Sequence, residues 1–300
     1  MDSRRRPLLY GVRQFGRWSG EGGAPLRVFA LRDEANEAAG NLAYLECYED
    51  SHACYFELPP GADCWDLPFI LFEFAKRGVF TIDAQWSMIW VQSRIVPPER
   101  QNLGEILKVN GLDEYDELRL LELTEGRCAQ DACYLVPVGC NELPGWYEER
   151  KATRLLDAYH LEAYRLVAAF CDGRIVVCDM AEELNDRREF SLVLSDEKRF
   201  ARMRLQPGGH GVMWGDALQV SCDELAGCGI DLPLSTGDVA DLLNQVVYST
   251  SEAAEILGCS RQNVVDLVRR GRLVPIKATG HVTLFLRSDI LAYRLNLSVR

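Results

Sequence analysis

Apolar residues fall into short blocks along the chain, and the spacing inside each block predicts its element. Asp66–Gly78 (DLPFILFEFAKRG) is dense in apolar residues and ends on a glycine suited to the left-handed C′ position, so a buried helix is expected there. Residues 81–96 (TIDAQWSMIWVQSRIV) carry aromatic and β-branched residues and read as a strand. Residues 97–111 (PPERQNLGEILKVNG) place Leu103, Ile106 and Leu107 on one helical face, with proline near the start and Gly111 at the close. Residues 112–123 (LDEYDELRLLEL) form an acidic-faced amphipathic segment, and 132–138 (ACYLVPV) suits a strand. Together these predict an α+β domain over 1–145.

A connector over 146–157 turns helical after Pro144. Residues 158–232 read as a second small α+β domain. Two apolar runs in YRLVAAFCDGRIVVCDM meet at Asp172-Gly173, a strong hairpin signal. HGVMWGDALQV continues as strand and turn, and SCDELAG as a small helix begun by serine. Residues 233–300 form a third domain. Ser249-Thr-Ser-Glu252 is a capping box ahead of Ala253, Ala254, Ile256 and Leu257. Gly258 breaks that helix and Ser260 starts another. Val264, Leu267 and Val268 recur at i, i+3, i+4 on its inner face, and Gly271 ends it. A hairpin is expected to turn at Thr279-Gly280, followed by a last helix capped by Ser288.

The chain has 300 residues, 48% hydrophobic and 26% charged, enough for several domains with real cores. No apolar run is long enough for a membrane span. The opening stretch MDSRRRPLLYGVRQFG has arginines but no apolar block after them, which reads as a loose end rather than a secretory leader; the expected compartment is the cytosol. The cysteines then stay reduced. Cys47, Cys54, Cys64, Cys128 and Cys133 lack the tight paired spacing of zinc ligands, so no metal is expected, and no cofactor. Net charge is −12, unevenly placed: residues 246–300 carry +4 and the rest −16. A basic module on an acidic body is the simplest reading.

That basic module has an outer face fit for a duplex. With the apolar residues of the second helix turned inward, Arg261, Gln262 and Arg269 face outward and Asn263 stands in the same first turn. Arg pairs with guanine edges and Gln or Asn with adenine edges. Ser260 at the helix N-terminus suits a phosphate, while Arg270, Arg272, Lys277 and His281 suit the backbone or minor groove. Asp266 on the same helix opposes phosphate.

Two resemblances extend this reading. The signature AAEILGCSRQNV, then RRGRL, then RSD resembles the excisionase or MerR-type winged helix-turn-helix family over about 45 residues. It implies DNA binding, usually as a homodimer or beside a partner. The wing departs from the family in having Thr279, Gly280 and His281 where an arginine pair is usual. The middle region resembles a small bacterial domain family of unknown function through Asp172, Gly173, Leu194, Asp196, Phe200, Trp214 and Asp223-Glu224-Leu225. Such domains accompany helix-turn-helix modules, sometimes in toxin–antitoxin-like settings.

The expected protein is therefore a DNA-binding transcriptional regulator or antitoxin-like repressor, not an enzyme. Its upstream domains would sense, dimerise or hold a protein partner. Two alternatives stand beside it: an adaptor whose helix-turn-helix and acidic body dock a protein, and an enzyme with a site in the first domain. Catalytic signals are thin. His52, His160, His210 and His281 have no motif partners, GEGGAP lacks the lysine of a phosphate loop, and QPGGHG reads as a turn between strands. Asp113, Glu114, Asp116 and Glu117 read as the solvated face of a helix, or an acidic docking surface, and Trp214 reads as core.

Overall fold

The computed structural model describes residues 27–48 and 51–298; the expectations for the N-terminal end and for GEGGAP fall outside them. The chain divides into two compact units where the sequence suggests three domains. Unit 1 takes in residues up to Asp172 together with Val176–Ile230, and unit 2 is Asp231–Arg300 with Gly173–Ile175.

Unit 1 opens on an antiparallel five-stranded sheet. Its strands are β1 (Arg27–Asp33), β2 (Ala43–Tyr48), β3 (Ala53–Glu57), β4 (Thr81–Ile82) and β5 (Cys133–Pro137), in the order β4-β3-β2-β1-β5. Side chains alternate across a strand, so each strand supplies both faces. Phe29, Leu31, Leu45, Phe56 and Leu135 go to one face. They pack there with Leu71 of α1 (Phe69–Lys76), Trp90 and Val91 of α2 (Ala84–Gln92), Leu107 of α3 (Leu103–Val109) and Leu121 of α4 (Glu117–Thr124). Val28, Ala30 and Tyr44 go to the other face and meet Tyr147 of α5 (Gly145–Ala152).

Residues 84–92 are a helix and not the strand their composition suggests. Asp83 caps it, its carboxylate accepting from Trp86 N at 3.0 Å, and Ser87, Trp90 and Val91 are buried at i, i+3, i+4. Packing against the sheet overrides the β-leaning of the residue types. The acidic run at 113–117 also differs from expectation. Asp113 and Glu114 precede α4, and Asp116 is its N-cap, accepting from Leu118 N and Arg119 N. Helix α3 starts at Leu103, well after the prolines.

The second half of unit 1 holds β6 (Leu155–Leu161), β7 (Arg165–Phe170) and β8 (Ile175–Asp179), in the order β8-β7-β6. Gly173 turns the expected hairpin at φ +92°. Short helices α6 (Met180–Glu183) and α7 (Glu197–Phe200) follow, the latter capped by Asp196. A small sheet of β9 (Arg204–Leu205), β10 (Gly211–Trp214) and β11 (Leu218–Ser221) comes next. Helix α8 (Cys222–Cys228) begins with a capping box made by Ser221 and Glu224, and the short strand β12 (Ile230–Asp231) ends the run. Trp214 is core, 6% exposed, its indole donating to Phe200 O at 2.8 Å.

The same alternation that builds the first core sends Glu46, Tyr48, Tyr55 and Glu57 to one face of the sheet. Glu46 and Glu57 are fully buried, and such charges persist only when paired. Arg154, just past α5, donates to Glu46 Oε2 at 2.9 Å, Glu46 Oε1 at 2.5 Å and Glu57 Oε1 at 2.9 Å. His210 Nε2 lies 3.2 Å from Glu46 Oε2, and Tyr48 donates to the same oxygen at 2.8 Å. The turn before His210 fits because Gly208 (φ +66°) and Gly209 (φ +73°) lack side chains. A Cβ on Gly208 would sit 1.8 Å from the Tyr48 hydroxyl, and one on Gly209 2.1 Å from Leu155 O.

Unit 2 contains α9 (Thr236–Val246), β13 (Val247–Ser249), α10 (Thr250–Leu257), α11 (Arg261–Arg269), β14 (Lys277–Ala278), β15 (Thr283–Leu286) and α12 (Arg287–Ser298). The hairpin strands join β13 in a sheet ordered β13-β15-β14. Ser288 lies inside α12 rather than capping it, because the helix already begins at Arg287. Among the described residues no helix is long and apolar enough to cross a membrane.

Candidate nucleic-acid interface

Helix α11 is fixed from behind. Val264 and Leu267 are buried with Ala253 and Ala254 of α10, Leu273, Phe285 of β15 and Ile290 of α12, in one small core. The capping box at α10 forms as the sequence predicts: the Ser249 N–H donates to Glu252 Oε2 at 2.8 Å, and Ser249 Oγ accepts from Glu252 N at 3.4 Å. Gly258 takes the left-handed cap at φ +64°. Ser260 then caps α11, accepting from Asn263 N at 3.3 Å. Its hydroxyl proton stays available to an acceptor such as phosphate.

Ser260, Arg261, Gln262 and Asn263 are all exposed and make up one turn, so the structure brings these four together. Val265, 50% exposed, shares the outer surface of the helix and adds an apolar contact of the kind a thymine methyl can use. Arg269 is also exposed, but it lies about 12 Å further along the axis at 1.5 Å per residue. It is not unengaged: its Nη2 donates to Asp266 Oδ1 at 2.7 Å. The aspartate that would oppose phosphate thus holds one of the arginines meant to bind it.

Arg270 and Arg272 flank Gly271 at the far end of α11, and Lys277 and His281 lie on the hairpin; all four are exposed. The hairpin closes by Thr279 N donating to Val282 O at 2.8 Å and Val282 N to Thr279 Oγ1 at 3.2 Å. Three apolar side chains are exposed beside it, Val274 at 70%, Ile276 at 49% and Val282 at 49%.

Sequence reasoning left Glu46, Glu57, Arg154 and His210 unassigned. The signal was present but faint: two glutamates at alternate positions of apolar strand segments, where a carboxylate is out of place unless paired. One atom from each of Glu46, Glu57 and His210 lies within 4.8 Å of the others, a spacing that suits a cation. Arg154 is that cation, since it donates to both carboxylates.

No curated protein matches the chain. A crystal structure of a candidate DNA-binding protein from Nitrosomonas europaea is similar at 23% identity, over 48% of this chain and 86% of that chain, with a TM-score of 0.21. The family model described as a helix-turn-helix domain matches residues 247–298, the segment that holds α10, its glycine turn and α11. Residues 247–298 are a helix-turn-helix domain.

Proposed function

We propose that the C-terminal domain binds duplex DNA with α11 in the major groove, and that the protein is a transcriptional regulator acting as a homodimer, of the kind that includes antitoxin-like repressors. The observation that carries this reading is the first turn of α11: Ser260, Arg261, Gln262 and Asn263 stand exposed while Val264 and Leu267 anchor the helix behind them. Helix-turn-helix proteins use the N-terminal residues of the second helix to reach base edges. Arg261, Gln262 and Asn263 would read bases, and Ser260, Arg270, Arg272, Lys277 and His281 would hold the backbone. Unit 1 would then sense a signal or dock a partner, and the chain is a binding protein rather than an enzyme.

A second reading is favoured by the exposed Val274, Ile276 and Val282: a hairpin with that surface also suits a protein partner. A salt titration separates the two. Selection from random duplexes gives a site, and anisotropy then follows the affinity of the full chain for it. DNA binding by the homodimer through Arg270, Arg272 and Lys277 of each copy gives a slope of log K against log salt of about −5.4. Arg270→Ala with Arg272→Ala removes two phosphate contacts from each copy and makes it shallower by about 3 to 4, while Arg261→Ala relaxes the choice of sequence. A flat response, or no selected site, rejects the DNA reading and leaves the adaptor.

A further inference from the structure

Helix α9 has a start fixed by its own residues and an apolar face that nothing in unit 2 covers. Ser235 and Asp238 close a capping box: the Ser235 N–H donates to Asp238 Oδ2 at 2.8 Å, and Ser235 Oγ accepts from Asp238 N at 3.1 Å. Val239, Leu242, Leu243 and Val246 then recur at i, i+3, i+4, i+7, which lines them along one face. Leu234 and Val239 hold the N′ and N4 positions, the pair that staples a helix start.

An apolar stripe of this kind ordinarily faces a core. No residue of α9 is buried. Leu242 is 49% exposed, Leu243 50% and Leu234 43%. None of them joins the small core of unit 2, which α10, α11, β15 and α12 build with Leu273. A helix of 11 residues is marginal in water by itself, since tertiary packing supplies most helical stability. The stripe therefore calls for a partner surface.

The polar residues of α9 say what kind. It carries no basic residue; Asp238 and Asp241 lie in its first half, Asn244 and Gln245 in its second. Asp238 and Gln245 are seven positions apart and flank the stripe on the same side, with the small Ala240 on the other. A two-fold axis across the middle of the helix lays a second copy antiparallel to the first. Asp238 of one copy then lies beside the partner's Gln245, an acceptor beside a donor, and the helix dipoles oppose. Leu234, Leu242 and Leu243 leave on the order of 250 Å² of apolar surface per copy. With Val239, Ala240, Val246 and the polar margin, two copies close over on the order of 1,000 Å², the size of a reversible contact and not of a permanent dimer.

We propose that α9 is a self-association surface, pairing antiparallel with α9 of a second copy through Leu234, Leu242 and Leu243. This locates the homodimer of the DNA reading, and its test uses no DNA, so either can fail alone.

Sedimentation of the full chain from about 1 to 200 μM reads the mass directly. It rises with concentration from 33.8 kDa toward twice that value, with a dissociation constant in the micromolar range. Leu242→Lys with Leu243→Gln changes two exposed positions and puts a lysine four residues after Asp238, a pairing that supports the helix. Helix content by circular dichroism is unchanged, and dimerisation weakens by about tenfold or more. Val282→Lys, at an exposed apolar position on the hairpin, leaves the dimer intact. A parent protein still monomeric at about 200 μM overturns the proposal. A dimer that survives the α9 variant, or that Val282→Lys abolishes equally, overturns it as well.

Discussion

Glu46 and Glu57 hold two negative charges at zero exposure, a state water would relieve at once. Arg154 and Arg150 answer them with two positive charges, so the ionised cluster is neutral overall and His210 does not need to protonate. Burial raises the Glu46 carboxyl, but the hydrogen bond from His210 and the charge of Arg154 outweigh it and hold the group well below the ordinary range. His210 moves the other way from most histidines beside carboxylates: burial depresses it below the ordinary imidazole value of 6.5. A base with a depressed folded pKa takes up its proton first in the unfolded chain. Its stability contribution is therefore complete above pH 6.5 and is lost as pH falls from there toward the folded value. The lowered carboxylates Glu46, Asp131 and Glu224 contribute above their unfolded pKa and lose it only in stronger acid. Between pH 7.5 and 5.5, urea unfolding of the full chain therefore loses stability as pH falls through the unfolded histidine value, with about 1.4 kcal/mol per pH unit as the ceiling for this one proton. His210→Gln flattens that window. A midpoint that does not move in the parent protein contradicts the neutral buried imidazole.

At the level of elements, α11 shows a contest between its own residues. Asp266 and Arg269 are three positions apart on one helix and form an exposed ion pair, which adds little to stability. Against a phosphate the pair acts differently, because Asp266 repels the anion and occupies the arginine. Asp266→Asn keeps the shape, removes the charge and releases Arg269. It is expected to tighten DNA binding several-fold and to steepen the salt slope by about 1, with helix content by circular dichroism unchanged. Weaker binding in this variant shows instead that Asp266 orients Arg269 for its contact. Helices α10 and α11 were legible in the sequence because each has one wet face and one dry face, so caps, glycine stops and period all point the same way. Strand β2 was not legible: all six of its residues are buried, and with both faces covered the alternation disappears. Helix α2 failed for the opposite reason, since Trp86, Ile89 and Trp90 suit a strand by type and only the dry spacing at Ser87, Trp90 and Val91 reveals the helix. The buried ion cluster was beyond reach because its members are far apart in the chain and meet only through the register of β2 with β3 and the turn at Gly208-Gly209.

Across the whole molecule, the charge distribution sets how DNA would be approached as well as how it is held. Residues 246–300 carry +4 and the remainder −16, for a net −12. At a distance the duplex meets a negative object, and only at contact does it meet Arg261, Arg270, Arg272 and Lys277. The two regimes respond oppositely to salt. At an ionic strength of about 10 mM the screening length is about 30 Å and the long-range repulsion acts in full; at about 150 mM it shrinks to about 8 Å and only near neighbours are felt. The association rate constant should therefore stay at or below the ordinary range of about 10⁵–10⁶ M⁻¹s⁻¹, and hold level or rise over that span of salt. Dissociation should carry the loss of affinity, because salt weakens the arginine and lysine contacts directly. Stopped-flow association and dissociation of the full chain with its selected duplex, at several salt concentrations, distinguishes this from electrostatic steering. An association rate that starts high and collapses with salt means the basic face governs the approach as well as the contact, and that the acidic remainder of the chain exerts no field on the incoming duplex.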